Sequence, residues 1–539
     1  MSSDRMQKQD AIDLSHHLSA RGKAYERSPL KALIGRYDDR PGLIKLFSGA
    51  PHEDYFPITS VDIRALPYDN FSTAPASSSG NVSWLKRLFG LAPAPPKPIT
   101  FTINHAPAPG DNGLNLTKAL QYNPVRGLDY VASTIDAFVG RAFQPGYADF
   151  KTLIHTGNTD GWARVLQILA EPGDTVIGEE WIYASALTAG APTGLKFISI
   201  DMDDEGMLPD KLRERLAAWD ESVKGRRPHL MYTVPVGQNP SGRTMGLERK
   251  QAIYDVCVEF DIIILEDDPY YFLQAGQYVT KDARARTSSA TTSQSDEEWL
   301  ASLAPSFLRV DTQGRVIRID TVSKFLSPGL RLGWFTCSPL FAERLERVGE
   351  VATQAPNGLG TAVVGGLLRE WTQDGLIRWL RGIRALYTER RDYFVDALYD
   401  TFDVERSVVP EKTGGRDVCV AYARGSGMKE KGVRRPLFEF TPPTSGLFIW
   451  LKVPFPSYVR HRRGNSQESL EMQFWVSLVE NGVAFSPGSF FSYTGDGAED
   501  VPDFNAEGHY RIAFSSVSQE DARKAAQILR STLREFLAA

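Results

Sequence analysis

The sequence predicts an α/β protein: a large domain built on a mostly parallel sheet, followed by a smaller C-terminal domain. Three observations carry this reading. From about residue 150 to 335, short β-rich runs alternate with segments of helical periodicity, the pattern of parallel strands joined by crossover helices. The strand runs are almost continuously apolar, which suits strands covered on both faces. At 539 residues the chain is too long for one core and suits two or three units of roughly 100 to 200 residues each.

Taken in order, KTLIHT (151–156) reads as the first strand. Trp162, Val165, Leu166 and Leu169 follow at helical spacing until Glu171-Pro172-Gly173-Asp174 stops the helix. DTVIGEE (174–180), LKFISI (195–200), HLMYTV (229–234), DIIILED (261–267) and RVIRID (315–320) are further strands. Ile253, Val256, Cys257 and Phe260 mark the buried stripe of a crossover helix ahead of DIIIL. A long helix is expected from about Asp374 to Tyr399, with Leu376, Leu380, Ile383, Tyr387, Phe394 and Leu398 near one face, linking the sheet domain to the C-terminal one. That last domain holds the strands GLFIWLKV (446–453) and YRIAFSS (510–516), then a helix begun by Ser518 with Asp521 in capping-box position. Residues 72–98, 281–297 and 411–436 read as loops or insertions. WLKRLFGL in the first is too short, and too closely flanked by Ser and Pro, for a membrane-surface helix.

Composition narrows the function classes. Apolar residues are 42% and charged residues 24%, as in an ordinary soluble globular protein. Lys plus Arg number 61 against 66 Asp plus Glu, so there is no electrostatic footprint for nucleic acid or an anionic membrane, and small molecules are the expected partners. Cys257, Cys337 and Cys419 lie far apart without metal-ligand spacing and cannot all pair, which points to a reducing compartment and no metal site. The first residues contain no apolar run of signal-peptide length, no membrane-spanning stretch follows, and REFLAA is no peroxisomal or retention signal. The expected location is cytoplasmic.

In an open parallel sheet, ligands bind beyond the carboxyl ends of the strands, so the residues just after each strand are the informative ones. After KTLIHT stands Gly157-Asn158-Thr159-Asp160-Gly161, a polar turn opening a helix and a natural phosphate site. After HLMYTV, the Pro and Gly of PVGQNPSG fix a turn and leave Asn239 as a held polar group. After DIIILE come Asp267, Asp268 and Pro269-Tyr270-Tyr271. After RVIRID comes Thr321-Val322-Ser323-Lys324, with Arg331 seven positions beyond the lysine. Each has an ordinary reading taken alone: a plain turn, a helix-capping acid, a surface lysine. Together they place a phosphate turn, an acid, an asparagine, a tyrosine and a lysine on one rim, the set that pyridoxal phosphate needs. Lys324 is then the residue bonded to the cofactor, with Thr321, Ser323 and Arg331 at its phosphate.

On these residues the chain resembles the fold-type I pyridoxal-phosphate aminotransferases (class I/II). The motifs are Tyr183, PVGQNPSG (235–242), EDDPYYF (266–272), SKFLSPGLRLGW (323–334) and YRIAFS (510–515). SPLKAL (28–33), SGAPHEDYFPI (48–58) and ALQYNPVRG (119–127) extend the likeness to the fungal aromatic amino acid and 2-aminoadipate aminotransferases and to kynurenine aminotransferase II, from about residue 25 to the C-terminus. The resemblance implies a large cofactor-binding domain over 115–375 with a sheet of the seven-stranded type, and a smaller α+β domain over 376–539. Residues 1–114 would form an N-terminal arm and part of the small domain, with the 72–98 segment inserted.

The resemblance also implies roles. Lys324 is the Schiff-base lysine and carries the proton between substrate and cofactor; Asp267 partners the ring nitrogen. Asn239 and Tyr270 donate to the ring's phenolic oxygen, and Tyr183 stacks on the ring. Asn158, Thr159, Thr321, Ser323 and Arg331 contact the phosphate, and Tyr122 reaches the phosphate of a neighbouring subunit in a homodimer. Arg511 clamps the substrate α-carboxylate, and Gly49 closes over the substrate. Thr321 stands where many relatives have serine, and Asn158-Thr159 where many have Ser-Gln or a similar pair; both changes keep hydrogen-bonding capacity. Arg511 also suits an ion pair with a structural acid, Tyr122 also suits a core position, and Tyr55 and Phe56 suit either a substrate pocket or packing. The activity implied is transfer of the amino group of an aromatic amino acid, kynurenine or 2-aminoadipate to a 2-oxo acid such as 2-oxoglutarate. A lyase or decarboxylase shares every cofactor residue. No basic recognition helix precedes the matching region, which speaks against an aminotransferase-like regulatory sensor.

Overall fold

A computed structural model of the chain describes residues 8–29, 31–32, 40–42, 44, 46, 49–71, 97–106, 113–286, 294–411, 414–424, 429–430, 433–463, 466–499 and 501–538. WLKRLFGL and nearly all of the 72–98 segment lie outside the described residues, as do parts of the other two loop expectations.

The central sheet has seven strands in the order Lys151–His155, Gly333–Cys337, Val316–Thr321, Ile263–Asp267, Leu230–Thr233, Thr175–Glu179, Lys196–Ile200. The last five run parallel. Gly333–Cys337 runs antiparallel to both its neighbours and was not anticipated as a strand. The apolar runs are covered on both faces, as expected. Ile264, Met231, Ile177 and Val316 enter one core with the helix Asp129–Ala142, whereas Ile263, Leu265, Ile317 and Ile319 enter another with the helix Asn158–Leu169.

A helix spans Gly358–Thr401, interrupted at Thr372 by a non-helical φ of 60°. Its second limb coincides with the helix expected from Asp374. Beyond it a six-stranded sheet, Asp403–Glu411, Gly414–Tyr422, Pro436–Phe440, Phe448–Pro454, Glu507–Ala513 and Ser486–Pro487 in spatial order, is antiparallel throughout. The polar run expected as a loop over 411–436 is therefore partly strand: Gly414–Tyr422 pairs along its whole length with Asp403–Glu411. The closing helix Gln519–Ala538 starts as its sequence implies, with the Asp521 amide donating to Ser518 Oγ over 3.0 Å. Among the described residues no helix is long and apolar enough to cross a membrane.

The first described residues form a strap along the large sheet domain. Ala148 N donates to Gln9 O (2.8 Å), Ile12 N to Gln313 O (3.0 Å) and Ser19 N to Ile168 O (2.9 Å). His17, fully buried, sets Nε2 3.1 Å from Asp261 Oδ1 and Nδ1 3.2 Å from His229 Nδ1.

Candidate active site

The carboxyl ends of the parallel strands deliver their side chains to one cavity of about 170 Å³. It is lined by Asn158, Thr159, Tyr183, Asn239, Asp267, Tyr270, Thr321, Ser323, Lys324 and Arg331, all singled out from the sequence, together with Tyr232. Asp267 ends its strand buried at 6% exposure. Asn158 Nδ2 donates to its Oδ1 over 2.6 Å and Tyr232 Oη to its Oδ2 over 2.6 Å. Burial raises the Asp267 pKa; these two donors and the charges of Lys324 and Arg318 oppose the rise. Tyr232, buried beside that carboxylate, is held far above its ordinary pKa and stays a neutral donor.

Asp268, the other acid of the pair, points elsewhere. Its carboxylate lies 3.0 Å from the guanidinium of Arg318, which is wholly buried between Phe143 and Tyr271 and also meets Glu266 at 3.1 Å and Asp320 at 2.8 Å. Alternation along the strand thus sends Asp267 to the cavity and its two acidic neighbours to a structural ion cluster.

Lys324 closes a short 3-10 turn, Val322–Lys324, capped by Thr321, whose Oγ1 accepts from Ser323 N at 3.2 Å. The Lys324 amine is lowered from its ordinary pKa by burial and by the charges of Arg511 and Arg331, against the pull of Asp267. At the opposite wall Gly157 (φ 109°) opens the helix Asn158–Leu169. A Cβ on Gly157 would stand 2.3 Å from Arg331 Nη2, so only glycine lets the helix N-terminus and the guanidinium face one another this closely.

Arg511 comes from the other sheet. Its Nη1 donates to Asn239 Oδ1 over 2.7 Å and its Nη2 to Ser486 Oγ over 3.1 Å, and its guanidinium lies 4.5 and 4.8 Å from the rings of Phe448 and Phe491. No carboxylate pairs with it among the described residues, so the alternative of a structural ion pair falls away. Asn239 is brought to it by a close approach: a Cβ on Gly237 would lie 2.5 Å from Gly446 Cα, backbone against backbone.

Three of the singled-out residues do not line the cavity: Arg511, which reaches it through Asn239, and two that stand apart from it. Tyr122 is 68% exposed, and Gly49 stands in open surroundings in the N-terminal segment. Tyr55 is likewise exposed.

The sequence matches the family model for aminotransferases of class I and II over residues 116–415. An aromatic amino acid aminotransferase of Schizosaccharomyces pombe is 32% identical over 97% of this chain and 96% of its own length. The chain belongs to the class I and II aminotransferases. An L-tyrosine:2-oxoglutarate aminotransferase of Tapinella panuoides is 29% identical over 97% of this chain and 96% of its own. The crystal structure of the Candida albicans aminotransferase Aro8 superposes with a TM-score of 0.79 at 28% identity, covering 99% of this chain and all of that one.

As a member of this family the protein is a pyridoxal-phosphate-dependent transaminase, and its cavity fits that cofactor. A buried carboxylate raised in pKa asks for a cation, which a protonated pyridine ring supplies. The buried Asn158 Oδ1 has no partner of its own. The space between the helix N-terminus and Arg331 is held open by a glycine, as a phosphate between backbone N–H groups and a guanidinium requires. Sequence reasoning missed Tyr232. Its signal was a hydroxyl inside an otherwise apolar strand, which has to find a buried partner.

Proposed function

We propose that this aminotransferase takes the amino group of an aromatic amino acid (tryptophan, phenylalanine or tyrosine, with kynurenine and 2-aminoadipate as further candidates) and passes it to a 2-oxo acid, 2-oxoglutarate foremost. The observation carrying the substrate class is the setting of Arg511: a guanidinium free of carboxylates, fixed by Asn239 and Ser486, with the rings of Phe448 and Phe491 against it. Such a site grips an α-carboxylate while offering aromatic surface beside it. The names of the Schizosaccharomyces and Tapinella relatives support the same class.

Pyridoxal phosphate supplies an aldehyde that exchanges one amine for another and a protonated ring that accepts the electrons of the broken Cα–H bond. The protein's residues do the rest. Arg511 holds the α-carboxylate and so fixes which Cα bond faces Lys324. Lys324 Nζ, its pKa lowered by burial, takes the proton from Cα and returns it. Asp267 keeps a negative charge at the floor, with Tyr232 and Asn158 holding both its oxygens. Asn239 and Tyr270 serve as neutral donors at the wall, the latter because burial raises its pKa. Tyr183 walls the ring's face, and Asn158, Thr159, Thr321, Ser323 and Arg331 anchor the phosphate.

Exposed in the single chain, Tyr122 and Gly49 take their roles in a homodimer, Tyr122 on the partner's phosphate and Gly49 over the substrate. The domain division stays at 1–114, 115–375 and 376–539, and the working compartment is the cytoplasm of a fungal-type cell. The test is the visible spectrum of the purified protein with L-tryptophan, L-phenylalanine and L-2-aminoadipate added separately, without an oxo acid. Conversion of the cofactor band by an aromatic donor, with one oxo acid formed per cofactor, fits the proposal. Release of carbon dioxide or of a side-chain fragment would mean a decarboxylase or lyase.

A further inference from the structure

A second cavity, of about 430 Å³, is larger than the Lys324 pocket and lies between the two domains. Trp181 and Asp201 line it from the large domain; Glu439, Trp450, Glu507 and His509 line it from the six-stranded sheet. Its size is that of a small-molecule site. Five carboxylates and three Arg or Lys side chains face it, an excess of two negative charges.

His509 sharpens the ligand chemistry. Its imidazole is 7% exposed, with Nε2 3.1 Å from Glu507 Oε1; the tautomer with its hydrogen on Nε2 serves that carboxylate and leaves Nδ1 an acceptor. That Nδ1 is buried without a hydrogen-bond partner, on a residue that lines the cavity. A buried acceptor left unpaired is costly unless a donor meets it. The ring stacks on Trp450 at 5.6 Å and meets Trp181 at 4.6 Å, while the two indoles lie 5.0 Å apart edge to face. A donor of N–H, carrying positive charge and an apolar body, satisfies all three features.

Residues lining the cavity stand close to both ends of the bond that positions Arg511. His509 is two residues from Arg511 on the same strand. Trp181 O accepts from Gln238 Nε2 over 2.6 Å, one residue before Asn239. We propose that this cavity is a second ligand site, taking a small protonated amine with an aromatic or aliphatic body, and that its occupant is sensed at the Arg511–Asn239 contact.

The probe is N,N-dimethylbenzylamine, titrated into the holoenzyme while tryptophan emission is followed. It has one N–H⁺, an aromatic body and no carboxylate for Arg511, and as a tertiary amine it cannot condense with the cofactor aldehyde. A saturable change is expected through Trp181 and Trp450. Glu439→Gln and Asp201→Asn, one on each wall, each weaken it about fivefold or more. Benzyltrimethylammonium, which lacks the N–H, binds more weakly, and saturation with the first amine moves the KM for the amino donor by on the order of fivefold. No saturable response, equal binding of the two ammonium probes, or an affinity unchanged in both variants overturns the site. An unmoved KM at saturation overturns the coupling. Emission reads binding rather than turnover, so failure here is distinct from failure of the transaminase reading.

Discussion

Tyr232 Oη sits 2.6 Å from Asp267 Oδ2 and donates to it from a buried position inside a strand. A hydrogen bond to the charged form of an acid lowers its pKa. Tyr232→Phe therefore raises the pKa of Asp267. In the proposed mechanism activity needs the ionised carboxylate, so the acid limb of the pH–rate profile is expected to move to higher pH. Losing a bond to a charged group costs about 1.5–3 kcal/mol, an activity loss of roughly 10- to 100-fold below that limb. An unshifted limb would separate Tyr232 from the chemistry.

Lys324→Ala removes the only amine that lines the cavity among the described residues. Turnover is expected to fall by on the order of 10⁴-fold, and the visible absorbance of the lysine-linked cofactor disappears while the cofactor itself remains bound by the other ten side chains. Retained turnover refutes the central assignment.

Arg511→Lys keeps the charge but loses the planar fork that reaches Asn239 and Ser486 together. The kcat/KM for amino donors should drop about 10- to 100-fold, mostly through KM, with cofactor affinity unchanged. Steady-state kinetics beside a cofactor titration separates the two.

Gly157→Ala places a methyl 2.3 Å from Arg331 Nη2 at a backbone φ of 109°. Strain of about 1–3 kcal/mol falls on the phosphate cradle, so cofactor affinity should weaken roughly 10-fold while the melting temperature of the cofactor-free protein changes less. Equal losses in both would make Gly157 a folding residue only.

His17 provides a pH test. Burial lowers its pKa from 6.5 to about 4, against the Asp261 carboxylate and with the charges of His229 and His16. The unfolded chain binds a proton at that imidazole between pH about 6.5 and about 4 while the folded chain does not, so attachment of the strap weakens as pH falls through that window. Asp261 stays ionised there, its pKa lowered through Arg315, His16 and His17. Amide protection in residues 8–24, measured against the intrinsic exchange rate at each pH, should fall on acidification, and His17→Gln should flatten the response.

Much of this architecture was legible because apolar parallel strands leave little ambiguity: Ile263–Asp267 and Val316–Thr321 lie where DIIILED and RVIRID place them. Gly333–Cys337 escaped because it directly follows the Lys324 turn, where the glycine- and arginine-rich motif reads as loop. The hairpin of Asp403–Glu411 and Gly414–Tyr422 escaped for another reason. Its first strand is mostly exposed and charged and resembles a solvated loop until it is paired, and the buried run Val418–Ala421 of the second is short. In the cavity, side chains at strand ends were readable from position alone, whereas Tyr232 was hidden inside a strand. Arg511 was readable only as an arginine between apolar neighbours; its freedom from acids is a fact of three dimensions.

The strap has a consequence in time. Its anchors for Gln9, Ile12, His17 and Ser19 are spread from Ala148 to Gln313, so on the ribosome the strap, made before the sheet, is without its seat until most of the sheet has emerged. At roughly 5–20 residues per second that wait is about 15 seconds to a minute, an interval in which Leu14 and Leu18, buried in the finished protein, are open to whatever binds nascent chains.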